Sequence, residues 1–517
     1  MSEIRNNKIK EIEKVFAGLP YLYRTKGLPS EVYEVRFKNN IDKDILILAI
    51  SDTIERLPYF SVRYEEKEGD FFSVRNVLPL EAHNTDEFIP LGGKANNYHM
   101  MGVNFKDNIL KISFHHGLTD GRGAKTFLET LVNYYADYDI EADKENDIAI
   151  KSRLCKITEM HRLKKDELSA AEYFDPCQKK YELDGKSKKI EGLVSKGFKL
   201  PETANKANHR RYELRFSQEE FMKACKKYGA SPITILSIMM SRGIQKAYPE
   251  NKKAIVSNFP MDARHILGCD ESFKNCVKSM SLPYGDAESN MSMEALASHY
   301  KYLLNAQKDH DYCAKEFNNI VMLLNVIGLF HSFSSRQKLL GFMENLALDT
   351  YLISYLGQFD VPEKYIDSVH LYSNCSSGLV LNMTCQSNEF MIDLTQDFES
   401  DIYIKALRSE FEAENIDVEV SEEIYFETPY DELKEIIATS VYPSEKINKL
   451  IEKIAGTAKK SSQDAKERAI ASQNISRALL VAYYDLETGE LVMQNPKKYS
   501  EDEIEKIVRN MPSVFMK

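Results

Sequence analysis

The sequence predicts a mixed α+β fold made of two similar lobes and a small C-terminal extension. Two long segments share one grammar: a β-forming run, an amphipathic helix, then further strands. A lysine-rich stretch with little periodicity, Gln178–Gly197, lies between them, and the pattern changes again beyond residue 420. These breaks divide the chain into a first lobe at 1–177, a linker at 178–208, a second lobe at 209–420 and an extension at 421–517. With 517 residues, the chain can bury a large core without disulfides or a metal.

The first lobe opens with Glu31–Phe37, where Val32, Tyr33, Val35 and Phe37 favour a strand. A helix follows over Asp42–Glu55. Ile45, Leu48, Ala49 and Ile54 recur at helical spacing, and Asp42 and Asp44 sit at its positive N-terminal end. Leu57-Pro58 stops it, because the residue before a proline is pushed out of the helical region. Tyr59–Tyr64, Phe71–Val74, Asn97–Asn104 and Ile109–Phe114 read as strands. After Gly123, the side chains of Ala124, Phe127, Leu128, Leu131 and Tyr135 share one helical face. From Ala136 to Asn208 the pattern weakens, and Gln178–Gly197 reads as a solvated linker or surface loop.

The second lobe starts with a strand carrying Tyr212, Leu214 and Phe216. Ser217 and Glu220 form a capping box for the helix Phe221–Tyr228, which Gly229 ends. Ser231 and Pro232 open the next helix, Ile233–Ala247. Ala254–Asn258 is a strand running into Pro260, and Met293–Gln307 is helical. The apolar run Ile320–Phe330 reads as a buried helix, and Leu348–Tyr355, Gly378–Gln386 and Glu389–Leu394 as strands. In the extension, Ser444–Ala455 is amphipathic and Lys459–Ser476 reads as a helical linker. Ala478–Asp485 and Glu490–Gln494 flank a hairpin turn at Glu487-Thr488-Gly489, and Ser500–Asn510 reads as a helix.

Composition excludes several function classes. Lys plus Arg is 68 against 79 for Asp plus Glu, a net charge of −11. As a whole, an acidic chain argues against the net basic surface that a duplex nucleic acid requires, leaving only a local basic patch open, and it disfavours broad attraction to anionic membranes. None of the eight cysteines forms C-x-x-C or zinc-finger spacing, and His310 with Cys313 makes only an isolated H-x-x-C. The expectation is no metal, reduced thiols and a cytoplasmic protein. Met1–Phe16 is charged and has no apolar core, so no secretory leader is expected. Ile320–Phe330 falls far short of the ~20 apolar residues of a membrane span, so no transmembrane segment is expected.

The informative run is Lys111-Ile112-Ser113-Phe114-His115-His116-Gly117-Leu118-Thr119-Asp120-Gly121, between an apolar strand and a helix. Adjacent histidines in a strand point to opposite faces, so one can face an interior channel while the other packs. Gly117 and Gly121 suit a tight strand-to-helix path. Asp120 lies close enough to hold the local geometry, and a neutral imidazole in a partly dry channel suits a general base near pH 7. The pattern H-H-x-x-x-D-G arises by chance on the order of once in a thousand chains of this length. The competing reading is a glycine-rich turn whose histidines satisfy local hydrogen bonds.

At these residues the sequence resembles the chloramphenicol-acetyltransferase-like, coenzyme-A-dependent acyltransferases. That superfamily includes nonribosomal peptide condensation domains, alcohol acetyltransferases and wax-ester synthases. Three weaker runs extend the resemblance in order: Arg56-Leu57-Pro58, then Pro260-Met261-Asp262-Ala263-Arg264 with Asn275 downstream, then Ser354-Tyr355-Leu356-Gly357. The last has tyrosine where the family has asparagine. The resemblance covers residues 15 to 415. It implies two lobes forming a V-shaped pseudo-dimer around a central tunnel. It puts catalytic His116 in the tunnel, with His115, Asp120 and Gly121 completing the motif, and makes Arg264 the structural partner of Asp120. An ion pair of that kind fixes geometry.

The implied activity is acyl transfer from a thioester, acyl-coenzyme A, to a small-molecule alcohol or amine. A second reading replaces coenzyme A with a carrier-protein-bound donor, as in a condensation domain. A third makes the fold a non-catalytic binding scaffold, with the extension as its interface. Other signals are weaker. Gly121-Arg122-Gly123 lacks the last glycine of a dinucleotide fingerprint, and Ala124-Lys125-Thr126 lacks the glycine of a P-loop. Ser376, Ser377 and Gly378 precede a strand and fit, by family analogy, a donor to a tetrahedral intermediate. The lysine-rich stretch fits either a solvated loop or a contact for coenzyme A phosphates, and no residue is assigned to holding the donor. The histidines at 83, 99, 161, 209, 265, 299, 310, 331 and 370 show no partner pattern.

Overall fold

The computed structural model describes residues 12–429, apart from 25–29, 68, 77, 144–170, 186–188, 205–208, 331–332 and 345–347. The expected elements from Ser444 onward, with Cys155, His161 and His331, lie outside the described residues.

In chain order, the first seven strands are β1 (Ile12–Lys14), β2 (Ser30–Phe37), β3 (Val62–Lys67), β4 (Asp70–Arg75), β5 (Ala82–Asn84), β6 (Met101–Lys106) and β7 (Ile109–His115). The remaining nine are β8 (Arg210–Ser217), β9 (Ile255–Asp262), β10 (Val277–Tyr284), β11 (Tyr351–Gln358), β12 (Ile366–Tyr372), β13 (Leu379–Gln386), β14 (Glu389–Gln396), β15 (Glu419–Val420) and β16 (Ile424–Tyr425). One five-stranded sheet runs β12-β2-β7-β6-β5, and a larger sheet runs β10-β9-β11-β13-β14-β8-β15 with β16 also on β8. A small third sheet pairs β1, β4 and β3. Mixed helix and sheet, in two sheet-based lobes, is therefore the architecture.

Each lobe buries helices against its sheet. Helices Lys43–Arg56 and Gly121–Asp143 pack Leu46, Ile50, Phe127 and Leu131 into the first core. Asp42 caps the former by accepting from the amides of Asp44 and Ile45, which satisfies otherwise orphaned donors. Helices Gln218–Tyr228, Pro232–Ala247, Met293–Gln307 and Ile402–Ala413 pack Phe221, Leu236, Leu296 and Leu407 into the second. Ser217 accepts from the Glu220 amide, and Gly229 takes the left-handed conformation (φ 64°) that a helix stop needs.

Several expectations shift. Pro58–Phe60 is a 3₁₀ turn, so β3 begins only at Val62. Asn97 and Tyr98 have positive φ (50° and 61°), which delays β6 to Met101. Apolar run Ile320–Phe330 lies mostly in the helix His310–Gly328, but it is not buried throughout. Leu324 and Ile327 face the core, while Met322 and Leu329 are 62% and 73% exposed. An unbroken apolar run covers every face of a helix, and only one face meets the core. The Gln178–Gly197 stretch is irregular, yet its Tyr181 and Ile190 are buried in the second core. Helix Phe333–Glu344, helix Ile402–Ala413 and strand β10 escaped the sequence reading.

So did β12, which leaves the second half of the chain and pairs antiparallel with β2. Its sequence, Ile-Asp-Ser-Val-His-Leu-Tyr, has no clean alternation because both of its faces are covered. His370 meets Asp393 of β14 at 3.1 Å, and Asp393 also accepts from the Leu371 amide. Among the described residues, no helix is long and apolar enough to cross a membrane.

Candidate active site

Register decides what meets at the motif. In the β2–β7 pair, Ser30 lies opposite His115 and Glu31 opposite Phe114. The start of β2 therefore lies beside the end of β7. That strand ends at His115, so the two histidines do not share it. His115 is fully buried, and its Nδ1 accepts the Gly117 amide at 2.9 Å. His116 is the first residue of the turn, with its side chain 18% exposed. Its ring stacks on Tyr21 with centroids 4.1 Å apart. Nε2 lies 2.6 Å from Glu31 Oε1. Nδ1 is buried and has no hydrogen-bond partner among the described residues. The His116 carbonyl accepts from Asn275 Nδ2 at 2.7 Å.

Electrostatics around the ring favour an ion pair. Burial pulls the His116 imidazole down, but Glu31, and Asp120 more weakly, push it up, and the net shift is above the ordinary 6.5. Burial pushes the Glu31 carboxyl up, but His116, Tyr33 and Arg24 hold it below the ordinary 4.5. Tyr33 Oη lies 3.4 Å from Glu31 Oε2. Burial raises the Tyr21 hydroxyl to about 12, so it remains a neutral stacking partner.

Asp120 is spent on structure. Its Oδ1 accepts from Arg264 Nη2 at 2.8 Å and from the Gly123 amide at 3.2 Å, and its Oδ2 accepts from the Cys276 amide at 2.9 Å. Arg264 is itself fully buried, and its Nε and Nη groups also donate to Ser272 O, Asp262 Oδ1 and Lys274 O at 2.7–2.9 Å. Burial pulls the guanidinium down, yet Asp120, Cys276 and Asp262 together more than offset this and keep it charged. Thr119 Oγ1 donates to Phe273 O at 2.7 Å. The motif turn from the first half of the chain is thus clasped to the 262–276 segment from the second.

The motif glycines act through space rather than backbone freedom. Neither Gly117 nor Gly121 is among the described residues with positive φ. A Cβ at Gly117 would lie 2.9 Å from His115 Nδ1, and one at Gly121 would lie 2.8 Å from Leu356 Cδ2. Gly18, which carried no signal in the sequence, is tighter: its Cβ would sit 2.0 Å from the Gly117 carbonyl. That close approach lets the helix Leu19–Leu22 carry Tyr21 onto His116.

The other sequence candidates fall elsewhere. Ser377 Oγ is paired with Cys375 Sγ at 2.9 Å. Tyr355 packs on Phe390 in the second core. His310 lies near Asp184 and Asp311, whereas Cys313 is buried against the Gln307 carbonyl, so the two do not converge. The seven described cysteines are buried and free. His209 and His370, which showed no partner pattern in the sequence, meet Asp397 at 2.7 Å and Asp393 at 3.1 Å.

Glu31 is the residue that sequence reasoning missed. The signal was in β2. Tyr33, Val35 and Phe37 form one buried face of that strand, and Glu31 heads the same stripe. A carboxylate in line with a core face needs a partner.

No protein-family model matches the chain, and no curated protein matches it. Solved structures do. TRI3 trichothecene 15-O-acetyltransferase from Fusarium sporotrichioides is 11% identical, over 79% of this chain and 97% of that one, with a TM-score of 0.51. TRI101 from F. sporotrichioides, complexed with coenzyme A and T-2, is 11% identical over 79% and 99%, with a TM-score of 0.50. At such identity the likeness speaks for the fold. The chain has the two-lobe acyltransferase fold that its sequence resemblance implies.

Proposed function

We propose that the protein transfers an acyl group from an acyl-coenzyme A thioester to the hydroxyl or amine of a small molecule, with His116 as general base. The observation that carries this reading is the His116 ring. It is paired with Glu31 and stacked on Tyr21, Asn275 holds the residue's backbone carbonyl, and one ring nitrogen has no partner among the described residues. Support also comes from the fold, shared with an enzyme described as a 15-O-acetyltransferase and with a protein solved with coenzyme A.

In the proposed reaction, the acceptor's O–H or N–H gives its proton to His116 as the heteroatom attacks the thioester carbonyl. The carbon–sulfur bond then breaks, and the departing thiolate takes that proton from the imidazolium. No acyl-enzyme is needed. Base catalysis of this kind contributes about 10²–10⁴ in rate, and holding two substrates together contributes more. Asp120 and Arg264 serve by fixing the turn, since all of the Asp120 oxygens are occupied.

The test is free-thiol release from a panel of acyl-coenzyme A donors, with and without pooled alcohols and amines. Acceptor-dependent release that disappears in His116→Ala is the expected result. No release from any donor by folded protein counts against this reading and turns attention to a carrier-bound donor or a scaffold.

A further inference from the structure

We propose that the segment Ser444–Ala455 of this same chain docks as a helix on the exposed apolar stripe of the helix His310–Gly328 and straps the extension to the two-lobe body.

Seven large apolar side chains are exposed among the described residues, and four of them fall within residues 322–330. Met322, Val326 and Leu329 share one face at helical spacing, with Phe330 at its edge. Leu324 and Ile327 lie on the opposite side, buried in the first core. From Phe317 to Ser335 the chain has no Lys, Arg, Asp or Glu, so no charged side chain of this run keeps the stripe in water. On its flank, Val321 and Asn325 line a groove of about 510 Å³ with Phe16, Cys177 and Gln178. Single exposed apolar residues need no explanation, but a contiguous stripe marks a surface that something covers.

The segment matches that stripe in spacing, length and reach. Ile447, Leu450, Ile451 and Ile454 recur at i, i+3, i+4 and i+7, and Glu445, Lys446, Lys449, Glu452 and Lys453 fall on the other side. Ser444 supplies a cap and Gly456 a stop. A helix this short is marginal in water and needs a surface to bury its apolar face. Ile447 to Ile454 has the same separation as Met322 to Leu329, about 10 Å of helix. The described chain ends at Pro429, whose carbonyl accepts from Ser30 Oγ at 2.9 Å. Residues 430–443 then form a tether that can span up to about 50 Å. Area favours a tethered occupant over a separate one. Four such side chains expose on the order of 400 Å², about half of the ~800 Å² per partner in a stable interface between separate molecules. A tether removes that demand, because it holds the segment at an effective concentration on the order of millimolar.

The experiment is hydroxyl-radical footprinting of the full chain, read at Met322, Leu329 and Phe330, with amide hydrogen exchange read over 444–455. In the wild type, the three side chains should be labelled slowly at every protein concentration, and the segment's amides should be protected. Ile447→Glu combined with Ile451→Glu should abolish the side-chain protection. Leu329→Glu, at an exposed position, should in turn abolish the amide protection of 444–455. Fast labelling of the stripe in the wild type overturns the proposal, and so does protection that survives the double change. Leu329→Glu with 444–455 still protected overturns it as well. Protection that grows with protein concentration would assign the stripe to a second copy instead. Protection gained only on adding phosphatidylcholine vesicles would assign it to a lipid surface, and either result contradicts the tethered segment.

Discussion

His116 and His370 each lie against a carboxylate, yet only His116 keeps a nitrogen unspent. The His370 ring is fully buried, with Nδ1 3.1 Å from Asp393 Oδ1 and Nε2 3.1 Å from Ser368 Oγ. Around it, Arg211 reaches Glu213 at 2.7 Å and Glu34 and Asp393 at 3.7 Å, and Arg36 bridges Glu34 and Glu213. This cluster ties β2 and β12 of one sheet to β8 and β14 of the other. The His116 ring is fixed as firmly, but its Nδ1 has no partner among the described residues and its side chain is 18% exposed. A buried histidine–carboxylate pair is therefore no mark of chemistry by itself. What sets the His116 ring apart from His370 is a side chain that reaches the surface and one nitrogen without a partner among the described residues.

The sharpest way to break this comparison is to delete each ring. His116→Ala should lower turnover by about 10²–10⁴ while the chain stays folded, as circular dichroism would register. His370→Ala should leave turnover per folded molecule near wild type. A large drop in turnover from the His370 change, at unchanged stability, would erase the distinction.

Next in size is the clasp that steadies one histidine. Removing Asp120 takes one of two carboxylate partners from the fully buried Arg264 guanidinium, which should cost about 3–5 kcal/mol in chemical denaturation and lower activity as well. Arg264→Ala should behave alike. Because the two side chains share one interaction, the double variant should lose less than the sum of the singles. Strict additivity would mean that they act separately.

The His370 cluster should respond through stability. His370→Ala withdraws a partner from buried Asp393, a loss of about 1–3 kcal/mol in denaturant titration. No change in the midpoint would show that the cluster does not hold the sheets together.

The smallest effect lies in pH. The folded His116 titrates above 6.5, so its contribution to stability is complete below 6.5 and fades as pH rises through the raised value. Glu31 titrates below 4.5, so its contribution is complete above 4.5 and fades as pH falls through the lowered value. The pair thus stabilises most between 4.5 and 6.5, whereas turnover, which needs the neutral ring, should rise only above 6.5. Denaturation midpoints and kcat/KM measured across pH should therefore trend in opposite directions there in the wild type. In Glu31→Gln the stability maximum should flatten.

Much of this was legible along the chain where local chemistry decides. Asp42, Ser217, Ser231 and Gly229 punctuate helices by hydrogen bonds or backbone geometry within a few residues, and the motif at His115–Gly121 carries its own spacing. What stayed hidden depends on distant partners. The β12 strand went unread because its partners are remote: its histidine meets Asp393 of β14. Glu31 reads as one acidic residue among many until strand register sets it beside His116. The run Ile320–Phe330 reads as a buried helix because an apolar run cannot tell which face meets the core. Pairing across long sequence separations, rather than composition, holds that information.

The most direct measurement is acceptor-dependent thiol release from acyl-coenzyme A by the wild type, His116→Ala and His370→Ala in parallel, with each protein shown to be folded. Release by the wild type and by His370→Ala, with loss of about 10²–10⁴ in His116→Ala alone, is the predicted result. Equal release by all three proteins would contradict the assignment of His116 as the base.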